Sequence, residues 1–397
     1  MTAPWPGTGL DVAALRAAGL PRLPFREFVL KVHSRCDLAC SYCYVYEMAD
    51  QSWREQPRRM PDDVADAAVA RVAEHARAHA LDAVRLVLHG GEPLLAGADF
   101  LTGLVARFRA AVPARLDVRM QTNGVSLTEP VLSKLAAAGV RIGVSLDGDR
   151  EATDRYRRRP GGRSSHPAVV RALRLLGAER YRPYFGGILC TVDLANDPVS
   201  TYRALLEFDP PAVDFLLPHG TWTAPPPGRR PGEPATPYAD WLIAVFEDWY
   251  GAPAQTTRVR LFTEILHLLL GGASASEAVG LSPARTLVIE TNGEIKQLDT
   301  LSAAYSGAAR TGLHVAADPL DAALDHPTTV ARQLGAAALS EDCLACPVHR
   351  VCGGGYYPHR YRAGSGFKNP SVYCPDLYAL IAHISGRLRA DLAARSR

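Results

Sequence analysis

The sequence predicts an α/β fold: a partial (β/α)6 TIM-like barrel followed by a C-terminal, cysteine-bearing α+β extension. Three observations lead there. Through residue 223, β-rich apolar runs alternate with stretches of helical periodicity, the pattern of right-handed parallel βαβ units. The units number six, too few for a closed eight-fold barrel, so the barrel stays open, with its site at the C-terminal strand ends. Beyond residue 282 the alternation stops and a hairpin leads into a loop-rich tail that holds four of the eight cysteines.

The strands are expected at 27–32, 84–88, 117–121, 141–146, 185–192 and 213–217, and the helices between them at 61–80, 98–111, 129–138, 168–177 and 200–207. The stretch 224–237, APPPGRRPGEPATP, breaks every regular pattern and reads as a linker. Helical segments follow at 238–250 and 258–270. Residues 285–290 and 294–298 flank Asn292-Gly293, the strongest short-range hairpin signal. An amphipathic helix at 376–392 closes the chain. The expected division is an N-terminal segment 1–24, the barrel 25–223, a linker with bridging helices 224–281, the cysteine-bearing extension 282–375 and a C-terminal helix 376–397.

Composition excludes several classes. With 397 residues, 47% hydrophobic and 21% charged, the chain can bury a large core and is not intrinsically disordered. A net charge of +3 argues against a nucleic-acid or membrane partner. Lysine occurs only at positions 31, 134, 296 and 368, so arginine carries nearly all the positive charge. No run reaches the ~18 apolar residues of a membrane span, and the first residues lack the basic and apolar regions of a signal peptide. The expected location is the cytoplasm, where the cysteines stay reduced and serve as metal ligands or catalytic thiols.

Cys36, Cys40 and Cys43 follow the first strand with three and then two residues between them. Zinc structural sites take four ligands, so zinc here requires a fourth donor such as His33; a [4Fe–4S] cluster accepts three thiolates and leaves one iron open. The string Cys36-Asp37-Leu38-Ala39-Cys40-Ser41-Tyr42-Cys43 closely resembles the cluster motif of the radical S-adenosylmethionine (SAM) enzymes. That resemblance implies a barrel of radical SAM type, with SAM chelated to the open iron through its amino and carboxylate groups. It implies that Tyr42 packs near the adenine, that Gly90, Gly91 and Glu92 of His89-Gly90-Gly91-Glu92-Pro93 meet the methionine ammonium, and that Asn123, Ser145 and Asp147 lie at the ends of the third and fourth strands in the cofactor site. Arg157, in Asp154-Arg155-Tyr156-Arg157, would grip the SAM carboxylate, onto which a guanidinium forks bidentately.

Cys343, Cys346, Cys352 and Cys374 are separated by two, five and twenty-one residues. Spacing alone suits a zinc ribbon or an iron–sulfur cluster. Cys352-Gly353-Gly354-Gly355 and the late Cys374 resemble the SPASM extension of peptide-modifying radical SAM enzymes. That family carries seven cysteines and two auxiliary clusters; here Tyr356 and Leu298 stand where further cysteines are expected. The resemblance therefore implies one auxiliary [4Fe–4S] cluster with all four cysteine ligands. Asp299 follows Leu298 where the related sulfatase-maturing enzymes place a proton-accepting Asp, and is the candidate base.

The strings Ser34-Arg35-Cys36, Tyr42-Cys43-Tyr44-Val45-Tyr46-Glu47, Ala49-Asp50-Gln51-Ser52-Trp53 and Gly366-Phe367-Lys368-Asn369-Pro370-Ser371-Val372-Tyr373-Cys374 resemble FxsB-type peptide maturases over roughly residues 25–385. That resemblance implies an enzyme that abstracts a β-hydrogen from a ribosomal precursor peptide (a leader plus an aromatic-containing core). The carbon radical then joins an aromatic ring two positions away, giving a three-residue cyclophane. An auxiliary cluster would take one electron, and a ferredoxin- or flavodoxin-like donor would reduce the first cluster. The alternatives are another radical peptide oxidation on the same scaffold, such as formylglycine or thioether formation, and a non-redox zinc-binding module.

Overall fold

The computed structural model describes residues 4–230 and 232–395. Residues 1–3, 396 and 397, in the expected terminal segments, and residue 231, in the expected linker, lie outside that description. A short helix, α1 (Val12–Ala17), precedes β1 (Glu27–His33). There follow α2 (Asp62–Ala78), β2 (Ala83–Gly90), α3 (Ala98–Ala111), β3 (Arg115–Thr122), α4 (Glu129–Ala137) and β4 (Arg141–Ser145). Next come α5 (Arg150–Tyr156), α6 (His166–Gly177), β5 (Phe185–Thr191), α7 (Pro198–Leu206) and β6 (Ala212–Leu216). The chain continues through α8 (Pro237–Tyr250), β7 (Arg258–Val259), α9 (Arg260–Leu269), β8 (Thr286–Ile289), β9 (Glu294–Lys296) and β10 (Arg310–His314). It ends with α10 (Pro327–Gln333), α11 (Glu341–Ala345), α12 (His349–Cys352) and α13 (Cys374–Arg395).

All ten strands form one sheet in the order β10-β9-β8-β1-β2-β3-β4-β5-β6-β7. The strands β1 to β7 run parallel, each beside its successor, as the α/β reading requires. The register is uninterrupted from Ala83↔Arg115 to Leu88↔Met120 and from Arg119↔Arg141 to Thr122↔Val144. The C-terminal ends of β1 to β4 therefore share one rim. Along β2 burial alternates strictly, the sign of a strand whose two faces meet different surroundings. Its buried side chains join those of neighbouring strands and of α2, α3 and α4 in one core that includes Phe28, Leu30, Leu86, Leu88, Leu104 and Phe108; each such large apolar side chain contributes about 1.5–3 kcal/mol.

Several elements differ from expectation: α1, α5, β10, α10, α11 and α12 fall in stretches read as loop or left unassigned, and two expected elements are altered. The segment 258–270, read as a helix, begins as the two-residue strand β7 on the edge beside β6 before α9 starts. Two residues carry no periodicity, so the sequence gives no sign of it. The hairpin of β8 and β9 has its antiparallel pairing, but β8 also pairs parallel with β1, from Glu27↔Thr286 to Leu30↔Ile289. The extension thus continues the barrel sheet. Leu287, Val288 and Ile289 are all buried, as in a strand covered on both faces.

The N-terminal segment is docked on the extension: Phe367 N–H donates to Trp5 O at 3.1 Å, and Arg16 pairs with Asp325 at 2.9 Å. The helix α13 packs on α8 and α9, and its Asp376 accepts from the N–H groups of Tyr238 and Ala239 at 2.9 and 3.1 Å, capping α8 from across the molecule. Arg229 Nε stands 3.5 Å from the other Asp376 oxygen, with both side chains 2% exposed. Asp376→Ala should uncap α8 and strand a buried arginine, costing about 1–3 kcal/mol, while Asp376→Asn keeps an acceptor and costs less. Melting temperatures of the two variants check the order.

Candidate active site

The rim at the ends of β1 to β4 collects the residues of the first cysteine cluster and its neighbours. Cys36, Cys40 and Cys43 lie on the loop after β1, each partly covered. Asn123, after β3, donates from Nδ2 to Asp37 at 2.7 Å and to Cys36 Sγ at 3.6 Å, tying the loop to the third strand end. Burial pushes the Cys36 thiol up to about 12 and the Cys40 thiol up to about 11, the latter against the opposing charge of Arg157. Burial likewise raises Cys43. Thiols so desolvated become thiolates only when a cation compensates the charge, which is what metal ligation does.

His33, the possible fourth donor for zinc, instead turns Nδ1 to the Arg35 backbone at 3.0–3.2 Å. Among the described residues, no three cysteine sulfurs lie within 4.8 Å of one another. A zinc tetrahedron with ~2.3 Å bonds needs sulfurs roughly 3.8 Å apart. The wider thiol nest suits a polynuclear cluster.

Gly90 ends β2 and Gly91 follows it, packed closely on the end of β1 and the start of the cysteine loop: Gly91 N–H donates to His33 O at 2.8 Å and Glu92 N–H to Arg35 O at 3.0 Å. A Cβ on Gly91 would lie 1.8 Å from Tyr46 Oη and 2.6 Å from Arg35 O. Glu92 itself is fully buried and accepts from Leu94 N–H, Thr122 Oγ1 and Asn123 N–H at 2.7–3.0 Å. Burial pushes its carboxyl up to about 7, against those hydrogen bonds.

Arg157, the residue after α5, donates to Tyr42 Oη at 2.8 Å, and the Tyr42 hydroxyl in turn donates to Asp147. Asp147 also accepts from Thr191 N–H at 3.0 Å. Burial opposes the charge on Arg157, but Tyr42 and Asp147 outweigh it and hold the guanidinium well above its ordinary range. Its Nε is buried with no partner, an orphaned donor of the kind that marks a ligand site. Ser145 accepts from Gln121 Nε2 at 2.9 Å. A carboxylate ligand fits the free Arg157 donor, and three thiols with a buried Glu92 on the same rim fit a cluster that chelates an amino acid.

A second polar group lies on the same rim. Lys31 Nζ and the Tyr44 hydroxyl donate to one oxygen of Asp299 at 2.8 and 2.6 Å. Burial works to raise Asp299, but the charge of Lys31 overrides it and holds the carboxyl well below the usual range. His89 and His219 adjoin this group; burial brings both down to about 4, and each keeps an unpartnered Nδ1. Lys31, Tyr44, His89 and His219 were not singled out by motif. Lys31 could have been found as a lysine on a strand in a chain nearly devoid of them.

The remaining cysteines meet in the extension. Cys343 sits in α11, whose N-cap Ser340 accepts from its N–H at 3.3 Å; Cys352 ends α12 and Cys374 begins α13. Burial pushes Cys352 up to about 12, with Cys374 and Cys343 adding to the rise, and Cys374 up to about 11, with Cys343 and Cys346 adding to it. The turn after Cys352 needs glycine at Gly353 (φ +62°), where a Cβ would lie 1.8 Å from Gly280 O. Arg360 closes the turn by donating to Gly353 O and Gly355 O at 2.5–3.1 Å. Four thiols brought together here, one buried and three partly covered, fit the full ligand set of a cluster.

Residues 30–194 match the model of the Radical SAM superfamily. The chain is 27% identical over 287 residues to a cysteine-type anaerobic sulfatase-maturating enzyme of Clostridium perfringens strain 13, spanning 70% of this chain and 74% of that protein. It is 25% identical over 401 residues to a serine-type anaerobic sulfatase-maturating enzyme of Klebsiella aerogenes, spanning 96% of this chain and 92% of that one. The structure of native anSMEcpe with bound AdoMet superposes with a TM-score of 0.80 at 22% identity, covering 92% of this chain and 98% of that chain. Streptococcus suis SuiB bound to precursor peptide SuiA gives 0.60 at 12% identity, covering 91% and 78%.

In iron-free protein held under reducing conditions, Cys36 and Cys40 should react with iodoacetamide about 100-fold or more slowly than free cysteine at pH 8, because so little thiolate is present. Mass spectrometry of the alkylated peptides reads this directly.

Proposed function

We propose that this chain is a radical SAM maturase that oxidises a side chain of a ribosomally made peptide or protein at its β-carbon. The observation that carries the reading is the similarity, along nearly the whole chain, to proteins named as sulfatase-maturating enzymes. When bound, a three-thiolate [4Fe–4S] cluster with SAM supplies a 5′-deoxyadenosyl radical, which removes a hydrogen atom. Cys36, Cys40 and Cys43 would hold that cluster, and Arg157 would hold the SAM carboxylate through its orphaned Nε. Glu92 would take the ammonium, whose charge would favour the carboxylate over the neutral acid. Tyr42, Asn123, Ser145 and Asp147 would line the rest of the cofactor site. Cys343, Cys346, Cys352 and Cys374 would hold one auxiliary [4Fe–4S] cluster, which supplies one-electron redox capacity.

Asp299 is the proposed base. Ion-paired to Lys31, it is a weak one. It suffices because the group losing the proton after oxidation, a protonated aldehyde or thioaldehyde or a ring cation, is itself a strong acid. Tyr44 fixes the carboxylate's orientation. The unpartnered nitrogens of His89 and His219 offer hydrogen bonds to a peptide. A ferredoxin- or flavodoxin-like protein would be the electron source. Among the described residues, no helix is long and apolar enough to cross a membrane.

Two products of such oxidation are distinguished by this chain's features. Formylglycine formation from a Cys or Ser is favoured by the similarity to the sulfatase-maturating enzymes. The three-residue cyclophane is favoured by the strings around Cys43 and Cys374 and by Leu298 and Tyr356 at two cysteine positions of the SPASM pattern. Reduced, reconstituted enzyme should be given SAM with one peptide holding a lone Cys and another holding an aromatic-x-x core. An aldehyde that reacts with a hydrazide probe identifies formylglycine. A product lighter by two hydrogens, inert to hydrazide and unbroken between the two joined residues on fragmentation, identifies the cyclophane. Deoxyadenosine with neither product overturns the maturase reading for these substrates.

Lys31→Met removes the counter-charge but leaves Asp299 buried, so its pKa should rise above the ordinary ~3.9. The wild type keeps Asp299 ionised throughout the working range. The variant should gain an acid limb, with kcat/KM falling as pH drops from about 7 to about 5.

A further inference from the structure

We propose that His75, His79 and Asp321 form a binding site for a divalent transition metal ion of the zinc class, on the outer wall of the barrel. His75 lies near the end of α2 and His79 caps it, so the two rings share one helix face, four residues apart. Asp321 comes from the short helical turn Leu320–Asp325 after β10, which packs on α2. This place is at the opposite end of the strands from the cysteine rim: His75 Nε2 faces the carbonyl of Phe25, just before β1 begins.

The ligand atoms of the three residues all lie within 4.8 Å of one another, and among the described residues no other set of His, Cys, Asp and Glu does so. His79 Nε2 stands 3.0–3.1 Å from the two Asp321 oxygens, and His75 Nδ1 contacts Oδ1 of the same carboxylate. The protonation pattern makes this contact informative. At 3.2 Å from Phe25 O, His75 Nε2 must carry a hydrogen, since a carbonyl only accepts. The neutral ring then presents a bare Nδ1 lone pair to a carboxylate oxygen. Two acceptors in contact repel, so either a second proton sits on the ring or both atoms turn to one metal ion.

A metal ion answers that requirement with familiar chemistry. Imidazole and carboxylate donors suit zinc and its neighbours in the series. A ligating histidine whose other nitrogen donates to a backbone carbonyl has the usual outer-shell support. Phe25 and Phe28 each lie 5.7 Å from the His75 ring, centroid to centroid, and wall the inner side. Asp321 is 41% exposed and His79 21%, leaving an entry path and room for water ligands. The nearest competing charge, Arg22, is bound to Asp325 at 2.7 Å. The ion would clip the extension to the barrel by joining α2 to the turn that carries Asp321. The rival occupant is a proton, which would make the trio a histidinium–aspartate pair.

Holoenzyme with its full iron and sulfide should be equilibrated anaerobically with zinc chloride, desalted, and analysed for zinc by mass spectrometry and X-ray absorption. The expected result is one zinc per chain with only nitrogen and oxygen neighbours at about 2.0–2.1 Å, lost in both His79→Ala and Asp321→Ala at unchanged iron content. Zinc should also raise the melting temperature of the wild type and leave both variants unmoved. Failure to retain zinc, zinc with sulfur neighbours at about 2.3 Å, or equal zinc in wild type and variants overturns the proposal. The first of these, with both variants melting earlier than wild type, assigns the trio to the proton.

Discussion

The constraint on which this molecule rests is the parallel, nearly unslipped pairing of its first four strands. Hydrogen bonds along β1 to β4 bring four separate loop openings to one rim. The cysteine loop, the Gly-Gly-Glu turn, Asn123 and Asp147 are up to about a hundred residues apart in the chain, yet they meet there. A one-residue slip between two strands would also turn every side chain to the opposite face. The packed core behind the sheet is what forbids that slip, so core and site are one problem. The glycine pair at the end of β2 shows the coupling: its lack of side chains lets the cysteine loop lie against the neighbouring strand end.

Charge is buried on this rim in two linked sets, and each solves the desolvation cost differently. Around Arg157, a tyrosine hydroxyl stands between guanidinium and carboxylate, leaving one guanidinium donor unused. Around Asp299, a lysine and a tyrosine saturate one carboxylate oxygen. A buried ion pair seldom adds net stability, because taking both charges out of water costs about as much as their attraction returns. The first set leaves one guanidinium donor unpartnered; the second holds a buried carboxylate ionised.

The sequence made some of this legible and not the rest, for physical reasons. The cysteines were readable because metal ligation demands particular residues at short spacings, and the strand–helix alternation because burial imprints periodicity. Glu92, Asp147 and Arg157 became candidates only through resemblance to a family, since a turn, a strand end and one more arginine carry no local signal. The contact of Lys31 with Asp299 joins residues 268 positions apart, and no pattern within a window of sequence encodes it. The same holds for β8, whose antiparallel partner β9 is signalled by an Asn-Gly turn while its parallel partner β1 lies far upstream. The glycines were legible as glycines, but what they admit, the protein's own loop, required coordinates.

The pairing of β8 with β1 has a further bearing on how the chain is held together. The first strand of the sheet in chain order is flanked on one side by a strand some 250 residues downstream. The proline-rich stretch between α7 and α8 is therefore not a seam along which the molecule divides. A protease that cut there would yield two polypeptides still knitted by backbone hydrogen bonds of β8 to β1, of Trp222 to Tyr361, and of Trp5 to Phe367. They would travel as one particle through a sizing column and come apart only in denaturant.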